Sequence, residues 1–447
     1  MRKLIMAGAI LLAAGVAGTA GPGFAAAAEP MPIVFVHGDS DTAGRWIVQV
    51  WRFESNGYPR DRIYAVDLDH PGSGNDDTKP EENRSTTVDV AAQLAGAVAR
   101  AKLETGADKV VLIGNSRGCN TIRNYVRNGG GAANAGLLIL TGCLNHGVFS
   151  FPGVSMGSEW NGAGNFLSGL NAGSEVTPGI ETVTIRSDKF DLYAQPTGEA
   201  IGMAGKPTGI DHDTAVLRGA TNLVIEGADH RETGYSAKAF AIMYKTITGR
   251  APMTNDVVAE EQIVLNGEVS GWVNDRPTNQ PVAGAHVMVF ETNPDTGERV
   301  GEAVHDRTVG DDGRWGPFEA KADTTYEFVI EAGDYGTHHI YRSPFPRSSE
   351  ILNLRLVSAP KGAEGAVAAV NMMRPRGYFG RQRDQIALGG EMPADIPDTA
   401  VPMVWKTTRT LDSAEPATVV GSYNGETIAA RSWPAADGHT VWIQLTY

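Results

Sequence analysis

Cysteine is almost absent from this chain, since only Cys119 and Cys143 occur among 447 residues. Two cysteines are too few for a disulfide framework or for a cysteine-rich zinc cluster. Basic residues are also scarce: 38 Lys and Arg face 52 Asp and Glu, and the formal net charge is −14. This negative balance argues against nucleic acid as a partner and against electrostatic attraction to anionic membranes.

Long apolar runs are missing after the first residues of the chain. The apolar run at residues 4–17 follows Arg2 and Lys3 and precedes small residues that end just before Glu29. It is too short to span a membrane stably, and no later stretch is long enough. The pattern is typical of a secretory signal peptide, with an uncleaved anchor as the alternative. We therefore predict a signal peptide at residues 1–28 and a secreted or periplasmic protein without a stable membrane span.

What the chain does contain is a regular alternation of strand and helix patterns over residues 29–255. Strand patterns are predicted at 32–37, 62–68, 109–114, 136–140, 181–186 and 221–226. Helix patterns are predicted at 87–104, 120–127 and 237–248, the first because apolar residues recur every four positions. Strands separated by helices indicate βαβ units and a mostly parallel sheet. Residues 29–255 are therefore predicted to form one α/β domain.

The pattern changes after residue 261 to short alternating strands with tight turns. Examples are the strand patterns at 264–273, 286–290 and 325–330, with turn signals such as Asp311-Asp-Gly. We predict a β-sandwich over residues 262–358 and a second β subdomain over residues 362–447. The predicted fold class is thus α/β, followed by an all-β C-terminal region.

The strongest chemical signal is the pentapeptide Gly114-Asn-Ser-Arg-Gly, which follows a predicted strand and precedes a helix. It matches Gly-x-Ser-x-Gly, in which the two glycines permit the sharp turn that lifts a serine hydroxyl above the sheet. The alternative is a glycine-rich turn of a βαβ unit that carries no catalysis. Because the strand–turn–helix context is present, Ser116 is predicted to be a nucleophile.

An oxyanion hole is predicted from two backbone amides. In this arrangement the loop after the first core strand supplies one donor, and the residue after the nucleophile supplies the other. These positions are Asp39, in His37-Gly-Asp, and Arg117. A carboxylate that pointed into the hole would oppose the developing charge, so the side chains of Asp39 and Asp41 are expected to turn away.

The general base is predicted to be His230, which follows the last core strand in Gly227-Ala-Asp-His. The other histidines have weaker positions. His146 is expected to shape a pocket wall, His212 lies in a loop between two aspartates, and His338 with the following His339 suggests an exposed strand pair rather than a metal site.

The third member of a triad should lie between nucleophile and base in the chain. Asp191 and Asp188 both follow the predicted strand at 181–186. Asp191 is preferred because an apolar pair and then a proline follow it, and Asp188 is the competing candidate. Asp211, Asp213 and Asp229 are interpreted as solvated loop residues.

A glycine-rich segment at residues 148–176 is predicted to cover the active site as a lid-like insertion. Its apolar side chains suit an acyl pocket, although a small insertion with its own core is an equal alternative. The predicted substrate-binding residues are Phe149, Phe151, Met156, Trp160 and Phe166. Separately, Cys119 and Cys143 are predicted to emerge at the same sheet edge and to form a disulfide, with two free thiols as the alternative.

Together these motifs resemble the α/β-hydrolase lipases and esterases of bacteria and archaea, in particular the two-domain archaeal-type lipases with a C-terminal β-domain. The resemblance rests on the motifs quoted above with Leu144-Asn-His-Gly, and on Ser270-Gly-Trp and Tyr341-Arg-Ser-Pro-Phe in the β region. Residues 262–358 also look like transthyretin-like modules. In the archaeal type the acid directly follows the strand after the nucleophile helix. In this chain that place holds Thr141-Gly-Cys-Leu, which favours Asp191.

The resemblance implies hydrolysis of carboxylic esters through an acyl-enzyme, without a cofactor or metal. The expected partner is a lipid or another ester, including a polyester, with transient contact at a lipid interface or polymer surface. Two alternatives stay open. One is an amidase or peptidase on the same scaffold, since one constellation supports many acyl transfers. The other is a catalytically inactive protein whose β-domains bind carbohydrate or a surface.

Overall fold

A parallel sheet carries the N-terminal part of the molecule in the computed structural model, which describes residues 29–199, 201–357, 365–397 and 403–447. Its six strands are β1 (Ile33–Val36), β2 (Ile63–Val66), β3 (Val110–Asn115), β4 (Ala135–Thr141), β5 (Glu181–Arg186) and β6 (Thr221–Val224). All neighbouring pairs are parallel, in the order β2-β1-β3-β4-β5-β6. The predicted signal peptide at residues 1–28 lies outside the described residues.

Helices cover both faces of this sheet. They are α1 (Ile47–Ser55), α2 (Thr87–Thr105), α3 (Arg117–Asn128), α4 (Asn165–Asn171), α5 (Glu232–Tyr235) and α6 (Ala237–Thr248). Helices α2 and α3 pack with one set of strand side chains, and α1 and α6 pack with the other set. Helix α2 begins with a capping box between Thr86 and Asp89 and ends at Gly106, whose φ of 68° suits glycine.

The rest of the chain is all-β, as the sequence predicted. Its strands are β7 (Ile263–Leu265), β8 (Val269–Val273), β9 (Arg276–Pro281), β10 (His286–Thr292), β11 (His305–Thr308), β12 (Phe318–Ala320), β13 (Thr325–Glu331), β14 (Thr337–Arg342), β15 (Leu354–Arg355), β16 (Ala368–Met373), β17 (Ile386–Leu388), β18 (Lys406–Leu411), β19 (Thr418–Tyr423), β20 (Glu426–Arg431) and β21 (His439–Gln444). They form four sheets, of which the largest has seven strands. The fold class predicted from the sequence is confirmed.

One sheet joins the two predicted β segments. Its order is β11-β10-β13-β14-β21-β16-β18, so strands from residues 286–342 and from residues 368–444 lie within one hydrogen-bonded layer. The C-terminal strand β21 pairs in parallel with both β14 and β16. The sandwich predicted at 262–358 and the subdomain predicted at 362–447 thus share their main sheet.

The strand predicted at residues 264–273 is interrupted. The chain forms β7, turns at Gly267, and continues as β8. A Cβ at Gly267 would lie 2.2 Å from the carbonyl oxygen of Leu352, so the backbone of a distant segment presses against this turn. Periodicity alone could not reveal the break, because a long-range contact causes it.

The hydrophobic cores are not divided between the two halves of the chain. Ile47, Val48 and Trp51 of α1 belong to the same buried cluster as Trp315 and Phe328 of the all-β region. Residues 31–447 accordingly form one compact unit. We refer below to residues 31–250 as the parallel-sheet half and to residues 261–447 as the all-β half.

Candidate active site

Ser116 lies at the sharp turn between β3 and α3. Its backbone angles are φ 55° and ψ −121°, a region that costs a non-glycine residue free energy and that clusters at functional sites. The flanking glycines make the turn possible. A Cβ at Gly118 would lie 2.4 Å from the carbonyl oxygen of Val36, and one at Gly114 would lie 2.8 Å from the backbone of Gly118. Ser116 is therefore held at the carboxyl end of the central strands.

His230 and Asp191 are hydrogen-bonded. His230 Nδ1 lies 2.9 Å from Asp191 Oδ2 and 3.1 Å from Oδ1, and because a carboxylate can only accept, the imidazole donates. Both residues are buried. The competing Asp188 accepts from the backbone amides of Gly227 and Phe190 at 3.0 and 3.1 Å. Asp188 thus shapes the loop, while Asp191 orients the imidazole.

Ser116 and His230 line one cavity of about 300 Å³. This volume is at the small end of the range for small-molecule pockets. Five apolar side chains form much of its wall: Leu144, Val148, Phe149, Trp160 and Ile201. The ring of Tyr193 lies against the imidazole of His230, with centroids 4.5 Å apart. The site combines a positioned imidazole, a strained serine and an apolar wall.

The loop after β1 passes directly beside the serine. A Cβ at Gly38 would lie 3.0 Å from the Cβ of Ser116, so only glycine allows this approach without a shift. His37 is fully buried; its Nδ1 donates to the Gly38 carbonyl at 2.8 Å, and its Nε2 accepts from the Leu68 amide at 3.2 Å. Burial lowers the pKa of His37, which favours this neutral form. His37 has a structural role in holding the loop.

The two acids of this loop have partners of their own. Asp39 accepts from the Ser73 amide at 2.8 Å and from the Ser40 hydroxyl at 3.0 Å. Asp41 pairs with Arg45 at 2.7 Å and with Arg231 at 3.5 Å. Burial alone would raise the pKa of Asp41, but the two arginines outweigh burial and hold the pKa below its usual value. Both carboxylates are thus engaged by other groups, although Asp39 and Asp41 still line the cavity that contains Ser116.

Family models match both halves of the chain. Residues 30–191 match the model described as Lipase (class 2), and residues 261–360 match the model described as Lipase C-terminal domain. The chain combines a class 2 lipase domain with a lipase C-terminal domain. No curated protein matches it. The matched lipase segment includes Ser116 and Asp191, while His230 follows it in the chain.

Several solved structures are similar to part of this lipase-family chain. Lipase B of Aspergillus fumigatus shows 15% identity and a TM-score of 0.35 over 51% of this chain and 54% of that one. The mature lipase of Bacillus licheniformis shows 21% identity and a TM-score of 0.37, over 50% of this chain and 94% of that one. A carboxylesterase of Bacillus subtilis shows 11% identity and a TM-score of 0.28, over 50% of this chain and 86% of that one. The chain spans about half the length of the Aspergillus lipase, and these similarities are too low to indicate a substrate.

The predicted lid residues divide into two groups in the lipase-family structure. Phe149 and Trp160 line the cavity, and Trp160 Nε1 donates to Ser73 Oγ at 2.8 Å. The other three do not line it. Phe151 stacks on Phe149, and the ammonium group of Lys206 lies over its ring. The sulfur of Met156 accepts a hydrogen bond from the Gly153 amide. Phe166 is half-buried on α4. Local composition could not separate the two groups, since it does not fix which ring faces inward.

A buried ion pair ties the lid segment to the nucleophile turn. Arg117 binds Glu159 in two places, Nε to Oε1 at 2.8 Å and Nη2 to Oε2 at 3.1 Å, and both side chains are 1% exposed. Burial would lower the pKa of Arg117, but Glu159 outweighs it and raises that pKa. The predicted role of Arg117 was confined to its backbone amide. Its side chain has the additional function of holding residues 148–176 in place.

The all-β half contacts the loop that carries His230. Asp229 is fully buried and binds Arg383 Nη2 at 2.9 Å, Arg374 Nη1 at 3.3 Å and the Tyr378 amide at 2.7 Å. Glu232 binds Arg374 and Arg383 at 2.6 Å each. The interpretation of Asp229 as a solvated loop residue is wrong, because arginines more than 140 positions away compensate its charge.

The all-β half also reaches the loop after β1 and the cavity itself. Asn279 Nδ2 donates to the carbonyls of Asp41 and Leu68 at 3.0 and 2.8 Å. Arg355 donates to the Ser40 and Asp41 carbonyls at 2.7 and 3.0 Å. Tyr378 lines the cavity wall. Sequence reasoning missed these residues, and nothing in their local sequence could have shown that they lie at the site.

Among the remaining predicted positions, His338 and His339 lie on a strand but are buried, so the expectation of an exposed pair is wrong. Cys119 and Cys143 form a disulfide with their Cα atoms 5.8 Å apart. His146 binds Glu175 at 3.0 Å and lies outside the cavity wall. Within the described ranges, no group of three or more His, Cys, Asp or Glu side chains is arranged to hold a metal ion. No helix in that part of the chain is long and apolar enough to cross a membrane.

Proposed function

We propose that this protein is an exported serine hydrolase that cleaves carboxylic esters, as a lipase or esterase. The observation that carries the proposal is the strained Ser116 in the same cavity as His230, whose Nδ1 is bonded to Asp191. The match to a class 2 lipase model supports lipolytic hydrolysis as the general reaction. The order Ser, Asp, His along the chain is that of α/β-hydrolases.

The proposed reaction passes through an acyl-enzyme. Ser116 Oγ attacks the ester carbonyl carbon while His230 Nε2 removes the hydroxyl proton. The amides of Asp39 and Arg117 stabilise the oxyanion that forms. His230 then protonates the leaving alcohol, and in the second half-reaction it activates the water that releases the acid. Asp191 keeps the imidazole in the required tautomer and stabilises its charged form.

The cavity favours a small or medium acyl group that is apolar. Its volume of about 300 Å³ and its wall of Leu144, Val148, Phe149, Trp160 and Ile201 suit such a group. The lid segment at 148–176 contributes three of these side chains. We propose that this segment, held by Arg117 and Glu159, defines the acyl pocket. A polyester would be a substrate if a segment of its chain entered the same cavity.

Export is part of the proposal. The signal-peptide pattern at residues 1–28 predicts cleavage before Glu29, and a disulfide between Cys119 and Cys143 fits an oxidising compartment. Mass spectrometry of the protein recovered from periplasm or medium should find an N-terminus at Glu29. Retention of residues 1–28 on a membrane-bound product would contradict cleavage.

The decisive experiment compares Ser116→Ala with the wild type for fluorophosphonate labelling and for hydrolysis of p-nitrophenyl esters from acetate to palmitate. We expect labelling to disappear and kcat to fall by on the order of 10⁶. Ser155→Ala is a matched control, because Ser155 also has a positive φ, of 47°, but is exposed. Activity above a few percent in Ser116→Ala would refute the nucleophile. Cleavage of p-nitroanilides in preference to esters would instead favour the amidase alternative.

A further inference from the structure

A second cavity lies between the loop after β1 and the all-β half. Its volume is about 340 Å³, and it shares Asp41 and Arg231 with the cavity that contains Ser116. Its floor is one face of the seven-stranded sheet, since Ile340 and Trp442 pair on neighbouring strands and both line it. The exposed turn at Asp275 and Arg276 lies at its rim.

The lining of this second cavity is strongly cationic. Six of its residues are arginines: Arg45, Arg231, Arg276, Arg342, Arg355 and Arg376. Only two acids, Asp41 and Asp275, accompany them, although the whole chain has a net charge of −14. Asp41 is already engaged by Arg45 and Arg231. The local charge is thus opposite to that of the protein as a whole.

The guanidinium of Arg342 stands out among the described residues because two of its nitrogens are buried without an acceptor. The residue is 1% exposed, and its side chain donates no hydrogen bond to any described residue. Nε and Nη2 are both buried without an acceptor, and the ring of Phe345 lies beside the guanidinium at 4.9 Å. Arg231 Nη1 and Arg355 Nε are likewise buried without an acceptor among the described residues. Three residues that line this cavity therefore carry enclosed guanidinium nitrogens that no described acceptor satisfies.

Two other buried arginines have acceptors for most of their donors. Arg376, in the same cavity, donates to the carbonyls of Gly44, Arg45 and Thr446 at 2.8 to 3.0 Å. Arg117 has a bidentate carboxylate. A buried guanidinium without a partner is costly, because it loses its hydration without gaining hydrogen bonds. Burial lowers the pKa of Arg342 to about 10, so the group stays charged at neutral pH.

Apolar and aromatic side chains form much of the remaining wall, beside a few uncharged polar residues such as Thr42, Asn353 and Gln444. Trp272, Trp405 and Trp442 line it together with Ile340 and Leu352. Such a wall does not suit a small hydrated anion like sulfate, because most of its surface offers no hydrogen bonds. It suits an anion whose charged group reaches the arginines while an apolar body lies on the tryptophans.

We propose that this second cavity binds a carboxylate with an apolar body, with Arg342 as the principal anchor. A charged guanidinium attracts a carboxylate, and a charge-assisted hydrogen bond between the two is stronger than one to a neutral acceptor. Such a carboxylate has two sources: a free carboxylic acid, or a carboxylate that a larger ester bears at a distance from its scissile bond. The binding proposal does not depend on hydrolysis by Ser116.

Arg231 gives the cavity a direct connection to the catalytic residues. It follows His230 in sequence, lines both cavities, and has one buried nitrogen without an acceptor. A carboxylate in the second cavity would compete with Asp41 for the charge of Arg231 and so act on the loop that carries His230. Occupancy of the second cavity is therefore expected to change turnover in the first.

Binding is tested by isothermal titration calorimetry with octanoate on the full mature protein. We expect octanoate to bind, and both octanamide and sulfate to bind at least about tenfold more weakly. Octanamide lacks the negative charge, and sulfate lacks the apolar body. Arg342→Met should weaken octanoate by about tenfold or more while leaving the melting temperature unchanged or higher, since it removes a buried unpaired charge. Arg100→Met, on the exposed surface of α2, is the matched control and should bind as wild type.

A second variant separates the two cavities. Ile201→Trp fills the cavity that contains Ser116 and should leave octanoate binding intact. The reverse pattern, with binding lost in Ile201→Trp and kept in Arg342→Met, would overturn the proposal. So would equal affinity for octanoate and octanamide, or no measurable binding by the wild type. None of these readouts requires turnover, so they can fail while the proposed hydrolase activity stands.

Kinetics then distinguish the two sources of the carboxylate. If a free acid is the ligand, added octanoate should change kcat for p-nitrophenyl butyrate, and Arg342→Met should abolish that change. If the ester itself bears the carboxylate, monoethyl adipate should show a KM about tenfold below that of diethyl adipate, and Arg342→Met should remove the difference. Absence of both effects in a wild type that binds octanoate would overturn the connection to Arg231.

Discussion

The two halves of this molecule differ in what each supplies to the site. The parallel-sheet half carries the candidate nucleophile, base and acid on loops at the carboxyl ends of its strands. The all-β half carries none of them, yet it binds the loops on both sides of the serine. Asn279 and Arg355 hold the loop after β1, and Arg374 and Arg383 hold the loop after β6. The candidate reacting groups thus lie in one half, and residues that hold their loops lie in the other half, far away in sequence.

The contact between the halves also explains why the chain forms one unit. Trp51 of α1 donates through Nε1 to the Ser348 carbonyl at 2.8 Å and packs in the core of the all-β half. Removal of the all-β half would expose this apolar surface and leave Asp229 buried without its cations. We therefore expect point variants at the boundary, rather than truncation, to reveal what the second half contributes.

If the chemistry belongs to the parallel-sheet half, Asp191→Asn should have the largest effect among variants that keep both the nucleophile and the base. We expect kcat on p-nitrophenyl butyrate to fall by on the order of 10⁴, because the imidazole loses its orienting acceptor. Asp188→Asn, whose carboxylate binds backbone amides, is the control and should cost less than about tenfold. A larger loss at Asp188 would mean that the acid is misassigned.

If the all-β half positions the base, Arg374→Met should destabilise the protein by about 3 to 5 kcal/mol, because it leaves buried carboxylates undercompensated. Activity should fall as well, since Asp229 and Glu232 flank the His230 loop. Arg409→Met removes the same charge from the exposed pair with Glu391 and should cost at most about 1 kcal/mol. Urea denaturation gives both values, and equal costs would show that the loop does not depend on Arg374.

The disulfide stabilises the parallel-sheet half alone. Cys119 lies in the first turn of the nucleophile helix, Cys143 follows β4, and they are 24 positions apart. Replacement of both by Ala should lower the free energy of unfolding by about 3 kcal/mol, from the loop-closure entropy of the unfolded chain. Thiol titration of the denatured, unreduced protein should find no reactive cysteine. Two reactive thiols would contradict the bond.

His338 of the all-β half should contribute to a loss of stability in mild acid. Burial lowers the pKa of His338 from 6.5 to about 4, so between these values the unfolded chain binds the proton and the folded chain does not. Stability is therefore lost as pH falls from about 6.5 to about 4, by up to about 3 kcal/mol. His338→Leu should flatten the dependence measured by urea denaturation across this window. His212→Leu, at an exposed loop, should leave it unchanged.

The sequence by itself determined the order of elements and the candidate triad, because their signals are local. Gly114 and Gly118 are required wherever a chain turns this sharply about a serine, and apolar periodicity identified the strands and helices around them. The positions of His230 and Asp191 followed from the strands they come after, since the carboxyl ends of parallel strands meet at one edge. Asp188 remained a competitor because two aspartates three positions apart cannot be separated by pattern.

Only the tertiary structure decided which distant residues complete the site. Arg374 meets Asp229 across 145 positions, and Asn279 meets Asp41 across 238. No local pattern marks such a pair. The interaction forms only when two distant segments bury their polar groups together, and it does not depend on the sequence neighbours of either residue. The same reason explains why Tyr378 at the first cavity and Arg342 at the second were invisible in the sequence. Each reaches its cavity because strands from both ends of the all-β half form one sheet, which packs against the loops of the parallel-sheet half.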